Sequence, residues 1–92
     1  VKIGRADLDN SAKCIIDARG NKRWRLNGEL HRTDGPAIEF ANGDKYWHLN
    51  GKCHRTDGPA IEHANGGKAW WVNGKEYSEE EFNQVKEVLW ML

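Results

Sequence analysis

The sequence predicts a mainly β protein, an elongated antiparallel sheet of stacked β-hairpin repeats of about 23 residues each, capped by a C-terminal amphipathic α-helix. Three observations predict it. The phrase His31-Arg32-Thr33-Asp34-Gly35-Pro36-Ala37-Ile38-Glu39 returns as His54-Arg55-Thr56-Asp57-Gly58-Pro59-Ala60-Ile61-Glu62, and residues 24 to 46 agree with residues 47 to 69 at 17 of 23 positions. Short aromatic and apolar runs are punctuated by Asn-Gly, the strongest local hairpin signal, because a type I′ turn needs positive φ at both central residues. After Ser78 the apolar residues recur at helical spacing. A repeat this short cannot enclose its own core, so each unit must be covered by its neighbour or by something laid across the sheet.

The chain reads as a single repeat domain over residues 1–92: a degenerate repeat at 1–23, repeats at 24–46 and 47–69, a partial repeat at 70–78, and a capping helix at 79–92. In the first unit Val1, Ile3, Ile15, Ala18, Gly20 and Lys22 fall on the frame positions of Trp24, Leu26, Ile38, Ala41, Gly43 and Lys45. Terminal repeats commonly diverge in this way, because their outer side meets no further unit. In a complete unit, Lys45 to Leu49 is a strand and Asn50-Gly51 its turn. Asp57-Gly58-Pro59 breaks the return strand, since Pro supplies no amide hydrogen to a ladder. Pro59 to Ala64 resumes as strand and Asn65-Gly66 turns the chain again. Equivalent turns fall at Asn27-Gly28, Asp34-Gly35, Asn42-Gly43 and Asn73-Gly74.

Strand parity assigns faces. Trp47 and Leu49 point one way with His48 opposite. Pro59, Ile61 and His63 share one face, and Ala60, Glu62 and Ala64 the other. At the end of the chain, Ser78-Glu79-Glu80-Glu81 is a capping-box pattern whose acidic first turn suits the positive end of the helix dipole. Phe82, Val85, Leu89 and Leu92 then form an apolar stripe that Val88 and Met91 widen. A helix of about 14 residues is marginal alone in water, so this face is expected to dock on the last hairpins through Leu49, Ile61 and Val72.

Composition excludes several functions. The 14 basic and 14 acidic side chains cancel, which removes the long-range field of a general nucleic-acid binder. No apolar run approaches the roughly 20 residues of a spanning helix and no leader pattern opens the chain, so membrane insertion is not expected. Cys14 and Cys53 belong to no Cys-x-x-Cys pair. A disulfide framework or zinc site is therefore not expected, and the chain fits a reducing cytoplasm.

The pattern Trp-x-Leu-Asn-Gly-x-x-His-Arg-x-Asp-Gly-Pro-Ala, followed by Ala-Asn-Gly, resembles the MORN repeat (membrane occupation and recognition nexus). It is closer still to a MORN-like variant with an Asp-Gly-Pro-Ala step, associated with small proteins of tailed phages and large viruses. The resemblance covers residues 24 to 77 and extends faintly over 1 to 23. It departs from the common pattern where His-Arg-x-Asp-Gly-Pro replaces His-Gly-x-Gly, and no lipid-binding residue of the family maps onto it. The resemblance implies a hairpin-built sheet that serves as a scaffold or docking surface, and a phage-encoded adaptor or inhibitor of a host protein as one setting for it.

Candidate chemistry divides into what the frame explains and what it does not. His31 with Asp34, and His54 with Asp57, have acid/base or metal-ligand character. An active site is normally one constellation, whereas this set occurs twice in identical context, so both copies are read as structural. On that reading Asp34 and Asp57 accept backbone amides in their turns, Arg32 and Arg55 pair with nearby carboxylates, and the histidines pack across to the next unit. Pro36 and Pro59 break the strands. Trp24, Trp47 and Trp70 occupy one strand position per unit and are expected to stack along the array as its core. Cys53 stands where the previous unit has Leu30, as a small apolar residue.

Outside the frame lie the basic cluster Lys22, Arg23 and Arg25 around Trp24, together with Trp71 and Trp90, and these are the candidate binding residues. The function expected is a non-catalytic protein–protein interaction module that needs no metal or cofactor, uses its open sheet or sheet edge, and is capable of homo-oligomerisation. The alternatives are carbohydrate or cell-wall binding through the repeat aromatics, and nucleic-acid binding through the 22–25 cluster.

Overall fold

The computed structural model describes residues 12–91, with side chains to Val88. Val1, Ile3 and Leu92, and the side chains of Leu89, Trp90 and Met91, lie outside the described residues. Ten strands run in chain order: β1 (Lys13–Ile16), β2 (Lys22–Leu26), β3 (Glu29–Leu30), β4 (Ile38–Glu39), β5 (Lys45–Tyr46), β6 (His48–Leu49), β7 (Lys52–Cys53), β8 (Ile61–Glu62), β9 (Lys68–Val72) and β10 (Lys75–Tyr77). One helix, α1 (Glu79–Met91), follows. All pairings are antiparallel, so the predicted class stands.

The Asn-Gly turns form as their chemistry dictates. Asn27, Asn50 and Asn73 have φ of 54, 50 and 51°, and Gly28, Gly51 and Gly74 follow at 83, 81 and 82°. These turns close the hairpins β2–β3, β6–β7 and β9–β10. The second set of turns has a different geometry. The Gly43 amide bonds the Phe40 carbonyl at 2.9 Å and the Phe40 amide bonds the Asp44 carbonyl at 2.9 Å, so Gly43, at φ 102°, ends a three-residue loop. The same bonds recur at His63–Gly67 and at Asp17–Asn21. The first unit therefore shares the turn of the complete ones.

Two rows of strands result. The main row is ordered β1-β2-β4-β5-β8-β9. Along it Glu39 lies opposite Lys22 and Lys45, and Glu62 opposite Lys45 and Lys68, while Ile38 and Ile61 occupy the other face. Opposite charges directly across an antiparallel pair fix register at small energetic gain. The second row consists of the hairpins, stitched by amides: Gly51 to the Leu30 carbonyl and Gly74 to the Cys53 carbonyl, both 2.9 Å, with Arg32 to His48 and Arg55 to Trp71 alongside. The expected strand Pro59–Ala64 is shortened to Ile61–Glu62: the Ala60 carbonyl still accepts from the Trp47 amide at 2.8 Å, but Pro59 has no amide to donate, and His63 and Ala64 enter the next turn.

The core is thin. Among the described residues Ala37, Ile38, Ala60, Val72 and Phe82 are the buried apolar ones. The helix starts at the predicted box: Ser78 Oγ accepts from the Glu81 amide at 3.1 Å and Glu81 Oε1 accepts from the Ser78 amide at 2.9 Å. It packs on β9 and β10. Val72 is buried on β9, one of the two strands the helix packs on, whereas Leu49 belongs to an earlier hairpin and lines an open groove. Val88 is 56% exposed and does not widen the docked stripe. No helix of the described residues is long and apolar enough to cross a membrane.

Candidate functional site

The repeated phrase builds the most articulated surface of the molecule. In each complete unit the arginine folds back over the tryptophan eight positions before it. The Arg32 guanidinium lies 3.8 Å from the Trp24 ring centre and that of Arg55 4.0 Å from the Trp47 ring centre. Two of the three guanidinium nitrogens are engaged. Arg55 Nε donates to Asp57 Oδ1 at 2.7 Å, and one terminal nitrogen donates to the Pro59 carbonyl at 3.0 Å and Glu62 Oε2 at 3.2 Å. Arg32 makes the same bonds to Asp34, Pro36 and Glu39. Lysine could not replace it, because a single ammonium cannot stack and serve three acceptors in one plane.

This clamp corrects two sequence expectations. Asp34 and Asp57 accept from guanidinium groups rather than from turn amides, and the Arg32 guanidinium holds the Asp34 carboxyl below its ordinary pKa. The ladder rings Trp24 and Trp47 do not stack into a core. They are half-buried, each roofed by an arginine, and among the described residues no two tryptophan rings pair. Beside them Ala37 and Ala60 are fully buried, their carbonyls accepting from the Trp24 and Trp47 amides at 2.8 Å.

The histidines do reach the next unit. His31 Nδ1 accepts from the Asn50 amide at 3.0 Å and His54 Nδ1 from the Asn73 amide at 2.9 Å. Each therefore holds the following Asn-Gly turn in place, in the tautomer with hydrogen on Nε2. Burial pushes the His54 imidazole below its ordinary pKa. The equivalent stitch in the main row is polar: Asn21 Oδ1 accepts from the Ala41 amide at 2.8 Å and Asp44 Oδ1 from the Ala64 amide at 2.7 Å.

Between successive clamps lies an open groove of about 580 Å³. Trp47 and Leu49 lie on it, with Thr33, Asp34 and Gly35 of one loop and His54, Arg55, Thr56 and Asp57 of the next. A smaller counterpart of about 370 Å³ lies one unit on, between Thr56–Pro59, Trp70, and Phe82, Asn83 and Lys86 of α1. Position 78 is Ser rather than Arg, so Trp70 is met by the helix instead of by a guanidinium.

The other candidates are distributed rather than gathered. Strand alternation puts Lys22 and Trp24 on one face of β2 and Arg23 and Arg25 on the other, so the basic cluster is split. Arg23 bonds Asp17 at 3.2 Å and lies 5.6 Å from the Phe40 ring centre. Lys22 faces Glu39, and Arg25 is exposed opposite Leu30. Trp71 is half-buried opposite Glu76, with its indole N–H buried and without a partner among the described residues. His48, at the same frame position, likewise has a buried, unpartnered Nδ1, and burial pushes its pKa down against a smaller pull from the Tyr46 backbone. Burial, and to a lesser degree Glu76, push the Cys53 thiol up to about 11, so it is not a thiolate at neutral pH. Trp90 carries no described side chain.

Sequence reasoning missed the Arg–Trp clamp and the groove between clamps. The recurrence of Trp-x7-Arg was visible, but the fold-back that joins them depends on the Gly-Pro bend. No protein-family model matches the chain, and neither a curated protein nor a solved structure matches it significantly.

Proposed function

We propose that this protein is a non-catalytic protein-binding module that uses the groove between its two arginine clamps. The observation that carries the reading is the composition of that groove: the aromatic and aliphatic side chains of Trp47 and Leu49 line it together with the polar Thr33, Asp34, Thr56 and Asp57. Aromatic and aliphatic side chains set among polar ones are what protein interfaces use, where a few anchored side chains supply most of the affinity. Each aspartate spends Oδ1 on its arginine and keeps an exposed second oxygen. The fitting partner is a peptide segment with an apolar anchor flanked by lysine or arginine. The duplicated arginine, aspartate and glutamate groups are engaged with one another and His54 Nδ1 is taken by the Asn73 amide, which supports reading the polar groups of the groove as structural. Carbohydrate stacking is the weaker reading, because one face of both Trp24 and Trp47 already carries a guanidinium.

Selection from a displayed peptide library tests the proposal. The wild-type chain should enrich apolar anchors with basic flanks, and the double substitution Thr33→Arg, Thr56→Arg should abolish enrichment while leaving the melt unchanged. Absence of enrichment by the wild type, or enrichment indifferent to the double substitution, overturns the assignment to this groove.

A further inference from the structure

The groove at Trp47 has a neighbour, and the sheet sets the interval between them. Along the main row Arg23, Ile38, Tyr46, Ile61 and Ala69 lie opposite one another in turn. One residue further in the same register come Trp24, Ala37, Trp47, Ala60 and Trp70, on the face opposite to that of Ile38. Tryptophan therefore alternates with alanine across the sheet. Ala37 and Ala60 are fully buried, whereas Trp47 and Trp70 each line an open groove. Thr56 and Asp57 line both grooves and so form the wall between them.

The interval selects the shape of a ligand that enters both. Successive tryptophans are two strands apart, about 9.6 Å at the usual strand spacing. An extended strand presents side chains on one face about every 6.7 Å, so it offers no second anchor at that distance. An α-helix returns to the same side after seven residues, about 10.5 Å, but its residues at i+3 and i+4 share that side and would strike the wall. A polyproline II helix repeats every three residues, about 9.3 Å, and turns the two intervening side chains to its flanks. Its backbone carbonyls have no internal partner, and the hydroxyls of Thr33 and Thr56 are donors of the kind they need.

Charge adds a second constraint. Asp57 Oδ1 holds Arg55, yet the Asp57 side chain is 65% exposed on the wall, where a lysine or arginine at an intervening position reaches it from the flank. In the second groove Lys68 and Lys86 balance Asp57 and Glu79, which leaves the anchor there apolar.

We infer that the peptide taken at Trp47 is a polyproline II segment that crosses the Thr56–Asp57 wall, with apolar residues at i and i+3 in the two grooves and a basic residue between them. The inference rests on the groove assignment above and adds to it the ligand's conformation, its spacing and a second site.

Fluorescence anisotropy with short labelled peptides tests it. A proline-rich host carrying leucine at i and i+3 with arginine between them should bind the wild-type chain at least about tenfold more tightly than the same host with one leucine, because the second anchor binds intramolecularly. Moving the second leucine to i+2 or i+4, or placing the pair at i and i+7 of an alanine-rich helical host, should remove the gain. Asn83 is exposed on α1 and lines the second groove. Asn83→Arg should fill that groove without changing the melt, reduce the i, i+3 peptide to the affinity of the one-leucine peptide, and leave the latter unaffected. Equal affinity at every spacing, preference for the helical host, or indifference of the i, i+3 peptide to Asn83→Arg overturns the inference. The groove at Trp47 then still stands if Thr33→Arg, Thr56→Arg abolishes binding. Absence of binding by the whole series, while the peptide library yields other binders, overturns this inference alone, and absence of both overturns the groove assignment with it.

Discussion

At the scale of single residues, the arginine of each complete unit joins three parts of the repeat that sequence order keeps apart. Arg55 roofs Trp47, straps Asp57, and holds the Pro59 carbonyl and Glu62 to the loop. Arg55→Ala uncovers the ring and strands two half-buried acceptors, at an expected cost of about 2 kcal/mol in urea unfolding. Arg55→Lys should recover less than half of that, since it keeps the charge but not the fork. Full recovery by lysine would show that charge alone matters. Asp57→Asn should cost under about 1 kcal/mol, as its carboxylate is exposed. The turn residues were legible from sequence, because Asn-Gly has few ways to satisfy its backbone preferences and Asn50 and Gly51 adopt the expected one. The clamp was not. Repetition marks a residue as necessary to the unit, yet stacking on Trp47 depends on where the Gly58-Pro59 bend returns the chain, a tertiary outcome that spacing does not encode.

At the scale of elements, the helix was the most legible piece, since both its start signal and its anchor are local. Ser78 and Glu81 exchange the two capping bonds, and Phe82, one residue later, is only 3% exposed. Ser78→Ala should cost about 1 kcal/mol through the lost cap. Phe82→Ala should cost about 3 kcal/mol, because it empties the site where α1 meets the sheet. Thermal melts of the two variants check the ranking, and a larger loss from the cap than from the anchor would mean that α1 is held by its own propensity rather than by docking. Periodicity assigned Val88 to the same stripe, but the helix docks on β9 and β10 through its first turns, and Val88, further along, is exposed. Chain pattern shows which face of a helix is apolar. It does not show how far the surface below extends.

At the scale of the whole molecule, the units are joined chiefly by polar stitches, and this makes stability sensitive to acid in two stages. His54 accepts the Asn73 amide on Nδ1, and protonating that nitrogen breaks the bond between the second unit and the last hairpin. Burial holds both His54 and His48 below their ordinary pKa in the folded state, while the unfolded imidazole titrates near about 6.5. The unfolded chain therefore binds more protons as pH falls through that value. Their contribution is complete above about pH 7 and is lost progressively below it. The carboxylates act later. Asp17, held down chiefly by the Asn21 amide, Asp34 by the Arg32 guanidinium, and Asp44 by the Ala64 amide stay ionised below the usual range when folded. Their contribution is present above about pH 4 and disappears as pH falls through their lowered values. Urea midpoints measured from pH 8 to pH 3 should begin to decline below about pH 7 and fall further below about 4. A midpoint that stays flat below pH 7 until the carboxylates titrate would mean that the His54–Asn73 bond contributes nothing, and that cohesion of the array rests on the backbone stitches at Leu30 and Cys53.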